Sequence, residues 1–165
     1  MTKRTLTGLA TLVLAAAFLP ATTFAQDGPQ PVRLAVRNDS RLWIEGTSNL
    51  HGWSCKATTL DAVIDVDSTW MVVAGTEGVD YPKLVRRVEV KVPVAGLKCG
   101  NGKMDRIMYE ALKVGAAPDI SYILGSFDAV PGDAKDSFVF RAAGTLKIAG
   151  KENPIRMEVR TERLA

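Results

Sequence analysis

The sequence predicts a mainly β domain: an antiparallel sheet rolled toward a barrel, with one short amphipathic helix, behind a cleavable leader. Three observations predict it. Apolar and polar residues alternate with period two along most of the chain after residue 31, a single segment carries helical spacing, and the first 25 residues have the composition of a targeting sequence.

The leader comes first. Lys3 and Arg4 form a short basic start, an apolar stretch runs from Leu6 to Leu19, and Pro20 ends it. Thr23-Phe24-Ala25 then sets small residues at the positions a signal peptidase reads. A membrane-spanning helix needs about 20 apolar residues, and this run is shorter and broken by proline. Residues 1–25 are therefore read as a signal peptide and 26–165 as one domain, placed in the periplasm or secreted and not membrane-spanning after cleavage. No cysteine flanks the cut, which argues against a lipid-anchored lipoprotein. Loss of Lys3 and Arg4 takes the 21 basic residues to 19 against 18 acidic ones, a net charge of +1. With no Lys/Arg cluster left, a nucleic-acid partner is excluded on electrostatic grounds.

Gln26 to Pro31, with two prolines and a glycine, reads as a lead-in. Val32, Leu34 and Val36 then alternate with Arg33 and Arg37, and after an Asn38-Asp39 turn Leu42 and Ile44 alternate with Trp43 and Glu45. Leu60, Ala62, Ile64 and Val66 share a face opposite Asp61 and Asp65. Val88, Val90, Val92 and Val94 do so opposite Glu89 and Lys91. Ile120 to Leu124 forms a further short run. Phe138, Phe140, Ala142, Gly144, Leu146 and Ile148 make the longest face, opposite Arg141, Thr145 and Lys147, and Ile155, Met157 and Val159 oppose Arg156, Glu158 and Arg160. One apolar and one polar face per strand is the pattern of antiparallel sheet with water on one side.

Met104, Ile107, Met108, Ala111 and Leu112 fall at i, i+3, i+4, i+7 and i+8, which predicts an amphipathic helix capped by Asn101 and stopped at Gly115. It is expected to lie across an opening or edge of the sheet. Ser68 to Lys83 breaks the rhythm, and Trp70-Met71-Val72-Val73 fits either a strand or a buried loop.

Candidate chemistry is sparse. Cys55 and Cys99 are the only cysteines, and in an oxidising compartment they predict one disulfide. His51, four residues before Cys55, could join both thiols in a three-ligand zinc site of hydrolase type. The two readings exclude each other, and the compartment favours the disulfide, so no metal is expected. His51 is the only histidine, and no nucleophile elbow accompanies Ser48 or Ser54. No catalytic residue and no cofactor is assigned. Gly100-Asn101-Gly102-Lys103 lacks the full P-loop pattern and reads as a turn feeding a helix. The Met104/Met108 pair fits a core stripe better than a ligand lining, and position does not choose among Trp43, Trp53 and Trp70 as a stacking platform.

Four stretches in order resemble the YceI-like family, the periplasmic lipid- and polyisoprenoid-binding domain. They are Ser40 to Trp53 with its serine–histidine stretch, and Val88 to Val94 running into Leu97-Lys98-Cys99-Gly100. Met104 to Lys113 leading to Pro118-Asp119-Ile120-Ser121-Tyr122 is the third, and Gly144 to Gly150 with Pro154-Ile155 the fourth. The resemblance implies a lipocalin-like antiparallel barrel that binds or carries an isoprenoid, isoprenoid quinone or fatty-acid derivative in its lumen, without catalysis. On such a barrel the lumen candidates are Leu42, Ile44, Ile64, Val90, Val92, Met108, Leu112, Tyr122, Phe138, Phe140 and Leu146. Family members continue past the Gly144–Gly150 hairpin with further closing strands. This sequence ends at Ala165 after one, so the expectation is either a truncated gene product or a barrel left open, with a strand edge available for dimer formation. The rival class is a structural or interaction β-domain of the cell envelope that holds no ligand.

Overall fold

The computed structural model describes residues 28, 30–47, 52–74, 76–132 and 137–162. The signal-peptide reading of residues 1–25 and the placement of Ser48 and His51 lie outside them.

The alternating segments become strands in the order expected, and Gly52–Ala57 and Leu97–Lys98 add two that the pattern did not predict. The strands are β1 (Pro31–Leu34), β2 (Trp43–Thr47), β3 (Gly52–Ala57), β4 (Asp61–Asp67), β5 (Val85–Pro93), β6 (Leu97–Lys98), β7 (Asp119–Pro131), β8 (Ser137–Ile148) and β9 (Lys151–Glu162). Six of them form one antiparallel sheet in the order β1-β4-β5-β7-β8-β9, and β2-β3-β6 form a second, smaller one. Among the described residues, strands β1 and β9 are the edges of the large sheet and do not pair, so the sheet as described does not close on itself.

Two bulges shape the large sheet. Between β7 and β8 the register shifts around Gly125, so inward residues pass from Tyr122 and Leu124 to Phe127. Between β4 and β5 it shifts at Val66, which pairs with Val85 where Asp65 pairs with Arg87. A bulge adds one residue to one strand and increases local bend and twist, the means by which a flat sheet is rolled. The β8–β9 hairpin closes through Ala149 (φ 51°) and Gly150 (φ 78°). Two consecutive left-handed residues make the type I′ turn that matches strand twist.

The amphipathic segment folds as a helix over Gly102–Ala111. The Asn101 side chain accepts a 2.9 Å hydrogen bond from the Lys103 N–H, as a cap should. The stop falls earlier than Gly115: Lys113 takes the left-handed conformation (φ 55°), and the N–H groups of Ala116 and Ala117 turn back to its carbonyl. Ile107 and Ala111 of the apolar stripe are exposed, and Met104, Met108 and Leu112 are half-buried.

Trp70–Val73 is neither strand nor buried loop. It is a single helical turn, α1 by chain order, followed by a second turn, α2 (Tyr81–Leu84), with Gly102–Ala111 then becoming α3. The cause is local. The Asp67 carboxylate accepts from the Thr69 N–H at 2.9 Å, from the Thr69 hydroxyl, and from Arg86 Nη2 at 3.2 Å, which turns the chain as it leaves β4. The Thr69 hydrogen bonds, with Arg86 beside them, hold the Asp67 carboxyl below the usual carboxylate range. Trp70 turns inward, while Met71 and Val72 are 62% and 80% exposed.

The Cys55–Cys99 disulfide is present, with an S–S distance of 2.01 Å. The β3–β6 ladder pairs Lys56 with Lys98 and Ala57 with Leu97, and the two cysteines occupy the next position of that register. Around it Cys55, Val92, Val94, Leu97 and Ala117 are buried, while at the other end of β5 and β8 the buried set is Val66, Tyr81, Phe138 and Ala142.

Candidate functional site

Rolling the large sheet gathers its inward side chains around a trough of about 270 Å³. Every strand of that sheet contributes. Leu34 comes from β1, Ile64 and Val66 from β4, Val88 from β5, Tyr122, Leu124 and Phe127 from β7, Phe140 and Ala142 from β8, and Met157 and Val159 from β9. Trp70 of α1 covers one end. The strand period of two puts these residues on one face and Lys91, Arg141, Glu158 and Arg160 on the other.

The rings form one cluster. Phe140 lies 5.4 Å from Phe127, 5.8 Å from Tyr81 and 6.3 Å from Trp70, and Tyr81 lies 5.3 Å from Trp70 and 5.4 Å from Phe138. Most are edge-to-face, the favoured arrangement of ring quadrupoles. The Tyr81 hydroxyl donates toward the carbonyls of Val73 and Thr76, so the ring is tethered and α1 is tied down with it.

Gly144 makes room for Tyr122. A Cβ there would strike the Ile123 carbonyl oxygen and sit 2.6 Å from the Tyr122 hydroxyl, so the tyrosine ring lies against β8 where only glycine fits. The Tyr122 hydroxyl is buried and finds no hydrogen-bond partner among the described residues. Burial also pushes its phenol above the ordinary tyrosine range. A buried hydroxyl without a partner costs desolvation with no return. Tyr122→Phe is therefore expected to raise the unfolding free energy by about 1 kcal/mol in urea denaturation. A loss of similar size would show that the hydroxyl is satisfied in solution.

Three of the eleven lumen candidates, Ile64, Tyr122 and Phe140, line the trough. Val90, Val92 and Leu146 share its face of the sheet at the end toward the disulfide, and Phe138 is buried against Tyr81 at the other end. The remaining four lie elsewhere. Leu42 precedes β2, and Ile44 stands on β2 opposite Cys55 in the smaller sheet. Met108 belongs to α3 and Leu112 is its C-cap, and the helix packs at the β6 end: Met108 Sδ is 3.7 Å from Cys99 Sγ, and the Tyr109 hydroxyl meets the carbonyls of Ala95 and Leu97. Of the two expected places for the helix, an opening or an edge, α3 takes the edge, against β6 of the small sheet, and the helical residue that lines the trough is Trp70 of α1. Trp43 is exposed, so of the described tryptophans the trough takes Trp70 alone.

Sequence reasoning passed over Leu34, Val66, Val88, Leu124, Phe127, Ala142, Met157 and Val159 as lining residues. Leu34, Val66, Val88, Ala142, Met157 and Val159 were visible as members of alternating faces, and Leu124 only as the end of a short run. Phe127 follows the bulge, which reverses the parity that the alternation rule depends on. Both cysteines are consumed by the disulfide, so neither thiolate is available to a metal in this state.

The site is thus an apolar trough in an open, rolled antiparallel sheet. Among solved structures, BcnA of Burkholderia cenocepacia shares this fold, with a TM-score of 0.51 at 11% identity over 70% of this chain and 63% of BcnA. The YceI protein of Campylobacter jejuni also aligns, with a TM-score of 0.46 at 15% identity over 87% of this chain and 67% of that one. A mutant of that protein gives 0.47 at 18% identity over 68% of this chain and 56% of its own. No protein-family model and no curated protein matches the sequence.

Proposed function

We propose that this chain is a YceI-like protein of the periplasm or extracellular space that binds and carries an apolar chain, a polyisoprenoid, isoprenoid quinone or fatty-acid derivative, in the trough. The observation that carries the reading is the trough itself, an inward apolar lining drawn from all six strands of the sheet and a tryptophan. Each methylene buried there contributes roughly 0.8 kcal/mol, and association and ordering costs offset part of the sum. Affinity of this kind needs chain length more than polar contacts. The disulfide and the absence, among the described residues, of a helix long and apolar enough to cross a membrane agree with an exported protein. No catalytic residue is part of the proposal.

Native mass spectrometry of gently purified protein tests it. A retained apolar species of several hundred daltons, displaced by added quinone or fatty acid, is the expected result. Protein that is repeatedly empty and takes up neither would overturn the carrier reading in favour of a structural domain.

A further inference from the structure

Among the described residues the outer edge of β9 has no neighbouring strand. In the β8–β9 hairpin the two-residue Ala149-Gly150 turn makes Ile148 and Lys151 the closing pair, which exchanges both backbone hydrogen bonds. The register then runs without a shift, so every odd-numbered residue of β9 bonds to β8. The even-numbered residues turn their N–H and C=O groups to the free edge. Pro154 is among them, opposite Thr145, and its missing N–H falls on the open side where it breaks no ladder bond. Pairing by another strand is therefore impaired near Pro154 and unimpaired from Arg156 onward.

The side chains along that edge alternate in sign. Arg156, Glu158 and Arg160 stand on the outer face, with Ala143, Arg141 and Val139 as their neighbours on β8. Glu158 reaches Arg141 at 3.8 Å, whereas Arg156 and Arg160 face no acidic residue across the ladder. On the inner face at the same edge, Val159 is 41% exposed although it lines the trough.

We propose that β9 pairs antiparallel with β9 of a second copy about a two-fold axis at Val159. Only registers that set even residues against even ones keep the edge groups facing. Centring on residue 158 would oppose Glu158 to itself and Arg156 to Arg160. Centring on residue 157 would place Pro154 opposite Arg160 and lose a donor in each copy. Centring on residue 159 sets Glu158 against the partner's Arg160 twice over and brings the two Val159 side chains together on the inner face. Opposite charges directly across a ladder are stabilising and like charges destabilising. A two-fold interface doubles each such contact. The inference stands apart from the ligand reading and is tested on lipid-stripped protein.

Sedimentation of the purified protein is expected to show a dimer at tens of micromolar, with Arg160→Glu weakening it at least about ten-fold. The exchanged pair Glu158→Arg with Arg160→Glu should restore the dimer. The Val159 pair is of the non-hydrogen-bonded kind, with Cα atoms about 4.5 Å apart, within disulfide reach. Since both native cysteines are bridged, Val159→Cys should cross-link to itself on mild oxidation, and Met157→Cys should not. Circular dichroism confirms that each variant is folded. A monomer at all concentrations up to about 100 micromolar, a range where weak specific pairs still associate, would overturn the proposal. Cross-linking through Met157→Cys in place of Val159→Cys would overturn it equally.

Discussion

Replacing both Cys55 and Cys99 with serine is expected to lower the unfolding free energy by about 4 kcal/mol, on the chain-entropy model for a closed loop of this size. The bridge spans 44 residues. The disulfide joins β3 to the end of β6 within the small sheet, and the loop it closes contains β4, α1, α2 and β5, and so two strands of the large sheet. Cys55 is fully buried, as are Leu97 and Val94, and serine in its place puts a hydroxyl in a buried position. Cys55→Ala with Cys99→Ala separates the two effects, because it removes the loop constraint without the hydroxyls. Urea denaturation of both variants with unchanged m-values reads the difference directly. A loss under about 1 kcal/mol in the alanine pair would show that the unfolded chain is not constrained by the bridge in the way the model supposes.

Phe140→Ala is the second large effect expected, a loss of about 3 kcal/mol, at the lower end of the range for deleting a core aromatic because the ring is only half-buried. Phe140 is the ring that meets Phe127, Tyr81 and Trp70 together, so its removal takes one contact from each of three rings, while Tyr81 and Trp70 keep each other. It also lines the trough, and the same substitution should weaken uptake of an apolar chain. The two effects separate by comparison with Phe140→Leu, which keeps most of the apolar area but no ring. Stability near that of the parent in Phe140→Ala would mean that the cluster repacks around the gap and that Phe140 serves the trough alone.

Much of the fold was legible because period-two alternation is a direct projection of strand geometry. Val88, Val90 and Val92 on one face and Glu89 and Lys91 on the other could be nothing else once the strand was granted. The helix at Gly102–Ala111 was equally plain from its spacing and its Asn101 cap. What escaped were the places where one residue changes parity or direction. Gly125 shifts the register, so the strand continues to Pro131 with Phe127 inward, where simple alternation past Leu124 would end or point the wrong way. Trp70-Met71-Val72-Val73 has the composition of a strand, yet the Asp67–Thr69 hydrogen bonds turn the chain before it can extend.

The candidate site was read less well, for a different reason. Periodicity tells which residues share a face but not which cavity that face meets. Met108 and Ile44 have inward-facing patterns as good as that of Phe140, but they serve the small sheet and α3 and not the trough. Trp70 entered the trough from a turn, a position that no face pattern could assign.

A sheet whose outermost strands do not join also changes how a long chain would get in and out. A closed cylinder admits a tail only end-first, so exchange slows with every added unit that must be drawn through the rim. On the proposed carrier reading, a trough lined at one side by Leu34 of β1 and at the other by Met157 and Val159 of β9, strands that do not pair among the described residues, would let a tail be laid in sideways. Exchange rates in this protein should then depend on how much of the tail touches the lining and be nearly indifferent to the length that hangs beyond it.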